Sequence, residues 1–257
     1  LPGGGKRAWI VDSGVDLDHP DLDVDLVNSA SFVAGAPSPD DEHGHGTHVA
    51  GTLAALDNGQ GVIGVAAGAK VVAVRVLNAA GNGTGASVIA GLNYVAGFPG
   101  LNAADVVNVS LGGVPSKARE DAVVALAGKC KVIIAAGNDT RNVNFMGPAR
   151  VIHPNVYTVS AMDASDTFAG FSNFGGAIRY CAPGVNILSC NRGGGYSYRN
   201  GTSMAAPHIA GLLLLGVDLC ASKRVNGDKD GIPDAILTVA TAGDNTDGDN
   251  DGFTPCE

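Results

Sequence analysis

The chain has 257 residues, 45% hydrophobic and 16% charged, with 38 glycines and a formal net charge of −9. That length and apolar content can bury a large core, and they exclude a disordered or collagen-like chain. No apolar run reaches the ~18–20 residues of a membrane span, and the negative charge argues against nucleic acid as the main partner.

In chain order, residues 8–11 form a short β-branched run that ends at Asp12-Ser13-Gly14. Helical spacing follows over 45–56. A second strand is predicted at 71–76, a helix at 85–96, a strand at 106–109, a helix at 117–127, and strands at 132–136 and 156–159. These strands are continuously apolar rather than alternating, as strands buried on both faces are. Strand and helix in alternation predict an α/β domain with a mostly parallel central sheet and helices on both faces. In such sheets ligands bind at the carboxyl ends of the strands. The domain is expected to cover 1–225. An Asp/Gly-rich extension, 226–257, holds eight acidic residues and one lysine, a net of −7. Every one of those acids except Glu257 is Asp.

Four segments could carry chemistry. Asp12 sits at a strand end, where a carboxylate can orient a partner or simply form a turn. His43, His45 and His48 lie within six residues; they read as metal ligands, as one general base at a helix start, or as capping and core histidines. Ser203, between Gly201-Thr202 and Met204-Ala205-Ala206-Pro207-His208, reads as a nucleophile at a helix N-terminus or as an ordinary N-cap. Small residues after it leave room for a substrate, and Pro207 fits the first turn of a helix. Asn138 ends the buried run Ala135-Ala136-Gly137 and could donate to an oxyanion or form a turn.

Together and in this order, Asp-Ser-Gly, His-Gly-Thr-His-Val-Ala-Gly, Ala-Ala-Gly-Asn and Gly-Thr-Ser-Met-Ala-Ala-Pro-His resemble the subtilisin-like serine proteases, the subtilases, from about Lys6 to Leu215. The resemblance implies their three-layer α/β fold and a serine endopeptidase acting through an acyl-enzyme. It assigns Ser203 as nucleophile, His45 as general base, Asp12 as its orienting carboxylate, and Asn138 with the Ser203 N–H as oxyanion donors. Ser110, Leu111 and Gly112, opposite Gly81, Asn82 and Gly83, would pair with an extended polypeptide substrate. Ala135, Ala136 and Gly137 with Gly147, Pro148 and Ala149 would wall the primary specificity pocket, with Asp139 near its base to accept a basic residue. The stretch 84–87 is one residue longer than the family pattern and lacks its usual Tyr.

The resemblance also implies structural calcium at Asp21 and the loop Leu56, Asn58, Gln60 and Val62. A second calcium reading falls on Asp228, Asp230 and Asp234 and on Asp247, Asp249 and Asp251, against a solvated acidic tail as its alternative. Five cysteines leave at least one unpaired within the chain. Cys220 with Cys256 and Cys181 with Cys190 are the expected pairs, and Cys130 the odd thiol. The start at Leu1 lacks a basic-then-apolar leader and reads as a mature or processed form. Secretion, and a pro-segment or a cleaved N-terminal piece as partner, follow from the resemblance. The alternatives are an inactive calcium-binding module of the same fold, or a metallohydrolase built on the three histidines.

Overall fold

The computed structural model describes residues 6–217 and 219–239. Its elements in chain order are β1 (Arg7–Asp12), β2 (Ala30–Ser31), α1 (His45–Ala54), β3 (Lys70–Arg75), α2 (Gly85–Ala96), β4 (Val106–Val109) and α3 (Lys117–Ala127). β5 (Lys131–Ala135), β6 (Val156–Met162), β7 (Ile178–Pro183), β8 (Ile187–Asn191), β9 (Gly195–Arg199), α4 (Thr202–Leu215), β10 (Leu219–Arg224) and β11 (Ala235–Val239) follow. Each of the five predicted strands and three predicted helices is present. No helix among the described residues is long and apolar enough to cross a membrane.

One nine-stranded sheet runs β10-β11-β7-β6-β5-β4-β1-β3-β2, and only the β10–β11 pair is antiparallel. Alternate side chains of each strand go to opposite layers. Ala8, Ile10, Val71, Ala73, Val106 and Ile133 pack against Val49 and Leu53 of α1 and Ala205, Ile209 and Leu214 of α4. Trp9, Val11, Val72, Val74, Val107 and Ile134 pack against Val88 and Leu92 of α2 and Val123 and Leu126 of α3. A strand buried on both faces has no polar side to alternate with, which is why these runs are continuously apolar.

β1 lies between β3 and β4, so the strand order reverses there. Crevices at such switch points lie beyond the carboxyl ends of the strands. Asp12 is the last residue of β1, and Ser110 follows β4 directly. The fold therefore places both at the crevice.

Three expectations change. The boundary at Val225 falls inside a hairpin: β10 pairs with β11, and β11 pairs in parallel with β7 at Ile236 and Cys181. Residues up to Val239 thus continue the sheet, and Val225 and Ile236 pack with Met162, Phe168 and Cys181. Cys181 and Cys190 are not bonded to each other. Both are buried free thiols, one in that cluster and the other against α1 in the main core. Burial pushes both thiols up to about 12. Cys130 is the free thiol expected of it, and it too is buried. Cys220 is not among the free thiols, and Cys256 lies outside the described residues. Finally, Pro207 is not in the first turn of α4 but one turn after Ser203, inside the helix. A proline there leaves the carbonyl of residue 203 without its helical donor. The Ser110 hydroxyl supplies one at 3.1 Å.

Candidate active site

His45 opens α1, behind Gly44 in a left-handed conformation at the cap. Gly46 must be glycine: a Cβ there would lie 2.0 Å from the Gly14 carbonyl oxygen. This approach seats the start of α1 against the end of β1. His45 Nδ1 donates to Asp12 Oδ1 at 2.7 Å, and the Ser13 N–H donates to the same oxygen at 2.7 Å. Asp12 is fully buried, and its Oδ2 has no hydrogen-bond partner. Burial of His45 disfavours the imidazolium, but the charge and hydrogen bond of Asp12 outweigh it, so the His45 pKa is raised above 6.5.

Asp41 organises the segment before His45. Its carboxylate accepts from Ser13 Oγ (2.9 Å), the N–H groups of His43, Gly44 and Thr47 (2.9, 2.8 and 2.9 Å), and Thr47 Oγ1 (2.6 Å). Burial works against the charge, but these five donors prevail and hold the Asp41 carboxyl below the usual range. Arg75, itself buried, ties the preceding strand of loop to β3 through the carbonyls of Ser38 and Asp40. The sequence reading missed Asp41 and Arg75. Arg75 meets Ser38 and Asp40 more than thirty positions away, Asp41 joins its near neighbours to the distant Ser13, and neither sits in a motif.

Ser203 is the second residue of α4, behind Gly201 at φ 149°. Its N–H belongs to the first turn, where backbone donors have no helical partner. Its Oγ donates to the Ser110 carbonyl at 3.3 Å. Asn138 lies beside this turn. Its Oδ1 accepts from the Thr202 N–H (2.9 Å) and Thr202 Oγ1 (3.1 Å). With the oxygen engaged by two donors, Nδ2 is left as a free donor beside the α4 N-terminus. The Thr202 hydroxyl also accepts from the Gly137 N–H at 3.0 Å. Thr202 is therefore the residue that orients Asn138. Asn173, fully buried, pins the same loop: its Oδ1 takes the N–H groups of Asp139 and Arg141, and its Nδ2 donates to Ala136.

A cleft of about 310 Å³ begins at His45 and is lined by His43, Leu77, Gly81, Asn82, Gly83, Thr84, Val88, Ser110, Leu111, Gly112 and Arg119. It joins the two segments expected to flank a substrate. Thr84 and Ser87 form the capping box of α2. Gly113 and Gly147 exchange backbone hydrogen bonds at 3.0 and 2.9 Å, which brings Gly147, Pro148 and Ala149 beside the strand that follows β4. Ala135 and Ala136 are buried at the end of β5, and Asp139 is exposed.

Residues 9–252 match the subtilase family. The chain belongs to the subtilase family. Its enzyme class is that of a subtilisin-like serine endopeptidase. Over 216 residues this subtilase is 42% identical to subtilisin Savinase from Lederbergia lenta, covering 84% of this chain and 77% of that one. It is 42% identical to subtilisin-like protease 3 of Pseudogymnoascus destructans, over 82% of this chain and 52% of the relative. The crystal structure of a cold-adapted subtilisin-like serine proteinase matches with a TM-score of 0.81 at 34% identity, covering 94% of this chain and 91% of that chain.

The other histidines of the subtilase have separate jobs. His48 Nε2 faces the carbonyls of Ile187 and Ser197 at 3.1 and 3.0 Å, which ties α1 to the β8–β9 hairpin. Burial lowers its pKa to about 4, so it is neutral. His45 is engaged with Asp12 and His43 borders the cleft, so the three do not converge on one point. Among the described residues no group of three His, Cys, Asp or Glu side chains could hold a metal.

Asp21 is fully buried and forms no ion pair among the described residues. Its oxygens take Asn58 Nδ2 (3.0 Å), the Val62 N–H (3.3 Å) and Tyr196 Oη (3.2 Å). Asn58 and Val62 of the loop 56–62, together with Tyr196, thus supply hydrogen-bond donors to this carboxylate. The C-terminal acids are arranged differently. Asp228 Oδ2 accepts the Asp234 N–H, Asp230 Oδ1 accepts the Ile232 N–H, and Asp234 Oδ2 accepts Ser160 Oγ at 2.6 Å. Burial raises Asp234 to about 7. These carboxylates serve the β10–β11 connection and do not form a three-acid group. Asp247, Asp249 and Asp251 lie outside the described residues.

Proposed function

We propose that this subtilase cleaves polypeptides through an acyl-enzyme on Ser203. The observation that carries the reading is the 2.7 Å bond from His45 Nδ1 to a buried Asp12, with His45 and Ser110 lining one cleft and the Ser203 hydroxyl on the Ser110 carbonyl. For the reaction Oγ must leave the Ser110 carbonyl and turn to His45 Nε2. As Oγ bonds to the substrate carbonyl carbon, His45 takes its proton and Asp12 stabilises the imidazolium. The carbonyl oxygen becomes an oxyanion that accepts from Asn138 Nδ2 and the Ser203 N–H. The C–N bond then breaks and the amine leaves with the proton from His45. Water repeats the sequence to free the acid and regenerate Ser203.

The substrate strand would lie between Ser110–Gly112 and Gly81–Gly83, adding backbone hydrogen bonds on both sides. Its primary side chain would enter between Ala135–Gly137 and Gly147–Ala149, with Asp139 favouring a basic group. The buried charge of Asp21 supports structural calcium held by Asp21, Asn58 and the carbonyls of Leu56, Gln60 and Val62; bound there, the ion would supply charge balance and not chemistry. Secretion and synthesis with a pro-segment complete the proposal. Pre-steady-state hydrolysis of a p-nitrophenyl ester tests it. An acylation burst of one product per chain, absent in Ser203→Ala, is expected. A linear time course in the active protein with no covalent ester intermediate would refute it.

A further inference from the structure

The chain carries a net charge of −9, yet among the described residues no carboxylate lines the part of the cleft between Gly81–Thr84 and Ser110–Gly112: its ionisable lining residues are His43, His45 and Arg119. Arg119, in the first turn of α3, is the permanent cation among them. Its Nη2 donates to the carbonyls of Val114 (2.6 Å) and Gly147 (2.8 Å). Those bonds fix the guanidinium without neutralising it. The adjacent carboxylate is spent elsewhere. Glu120 accepts from Arg150 Nε and Nη2 at 3.0 and 2.9 Å and from the Ser116 N–H at 3.2 Å. Arg119 forms no ion pair among the described residues, and its buried Nε has no hydrogen-bond partner. Glu120 lies close enough to favour the Arg119 charge, but its two oxygens are bound by Arg150, so the two guanidiniums share one carboxylate and the cleft wall keeps a net positive charge that an anion from the ligand can meet.

Its place along the cleft follows from the strand after β4. One end of that strand, Ser110, touches the Ser203 hydroxyl. The other end, Val114, holds Arg119. Four extended residues span ~13 Å. Gly113 pairs with Gly147, in the segment proposed to wall the primary pocket, so the acyl side of a bound peptide would run along this stretch. The third and fourth residues from the scissile bond then come level with Arg119. We propose that Arg119 makes this enzyme select a carboxylate side chain at the third or fourth residue on the acyl side of the cleaved bond. The proposal rests on the peptide-hydrolysis reading above.

Paired fluorogenic peptides that differ only by Glu against Gln at each of those two positions test it, with kcat/KM measured at low ionic strength. At one of the two positions Glu is expected to be favoured about five- to tenfold, and the preference to shrink in 0.5 M salt. Arg119→Gln should bring the ratio to one and Arg119→Lys should keep it above one. A purely structural role in holding Val114 and Gly147 would lower both peptides together and leave the ratio intact. Binding of the same pairs to Ser203→Ala gives a readout independent of turnover. Preferential binding of the Glu peptide without cleavage by the unsubstituted enzyme would refute the hydrolytic reading while supporting this one. Equal binding of both peptides, or a preference that survives Arg119→Gln, would overturn the assignment.

Discussion

Replacing Thr202 by Val tests whether the oxyanion donor is held by its neighbour. Val keeps the shape of Thr and removes only the hydroxyl. The structure assigns that hydroxyl two bonds, to Asn138 Oδ1 (3.1 Å) and from the Gly137 N–H (3.0 Å), at a fully buried position. Losing the first costs ~1 kcal/mol, and leaving the Gly137 donor unpaired adds ~1–3 kcal/mol. Together these give about 2–4 kcal/mol, or a fall of ~4–16 °C in Tm for a chain of this size. Deleting an oxyanion donor outright costs on the order of 10²–10³ in kcat. Thr202→Val leaves the Thr202 N–H on Asn138, so the amide is loosened rather than lost. A drop of about tenfold in kcat with KM unchanged is expected. The assay is steady-state cleavage of a peptide p-nitroanilide well below the variant's Tm. Thr202→Ser should recover most of kcat, and Thr202→Val should add almost nothing in an Asn138→Ala background. A kcat within twofold of the unsubstituted enzyme, or a full further loss on top of Asn138→Ala, would refute the reasoning.

Other perturbations follow from the same geometry. Activity requires neutral His45, whose pKa Asp12 raises, so the acid limb of kcat/KM should lie above pH 6.5. Asp12→Asn should move that limb to lower pH and cut kcat by about 10⁴; a limb that stays in place would contradict the assignment. Ser110→Ala removes the donor that meets the carbonyl released by Pro207, at a cost of ~1–3 kcal/mol in denaturant unfolding. That cost should shrink in a Pro207→Ala background, where residue 207 regains an N–H, and equal costs in both backgrounds would argue against the compensation. If Asp21 holds calcium, EDTA should lower Tm by several degrees in the unsubstituted protein and leave Asp21→Asn unaffected; identical EDTA responses would remove the ion from this site.

The interior strands were legible because double burial leaves mostly Val, Ile and Ala along them, as in Val106–Val109 and Lys131–Ala135. Helices α1 to α3 were legible from their spacing. β8 and β9 were not. They are half-exposed, joined through Arg192-Gly193-Gly194, and Tyr198 points outward along a short polar run. β11 was hidden behind an acidic loop whose composition dominated the reading of the tail. The residues proposed to react stood out because Asp12, His45, Asn138 and Ser203 lie in short local motifs. Their supports did not. Asp41 acts on Ser13 across 28 positions and Asn173 on Asp139 across 34, and such contacts exist only once the loops meet. Pro207 shows the same limit: a local rule placed it in a first turn, while a hydroxyl from another strand makes its interior position tolerable.

The central claim is that Asp12, His45 and Ser203 act as one unit on Ser203 Oγ. Labelling with a fluorophosphonate, followed by mass spectrometry of the peptides, tests it most directly. A single adduct on Ser203 is expected, formed at least a thousandfold more slowly in His45→Ala and Asp12→Ala. An adduct on another serine, or labelling of Ser203 at an unchanged rate without His45, would contradict the account.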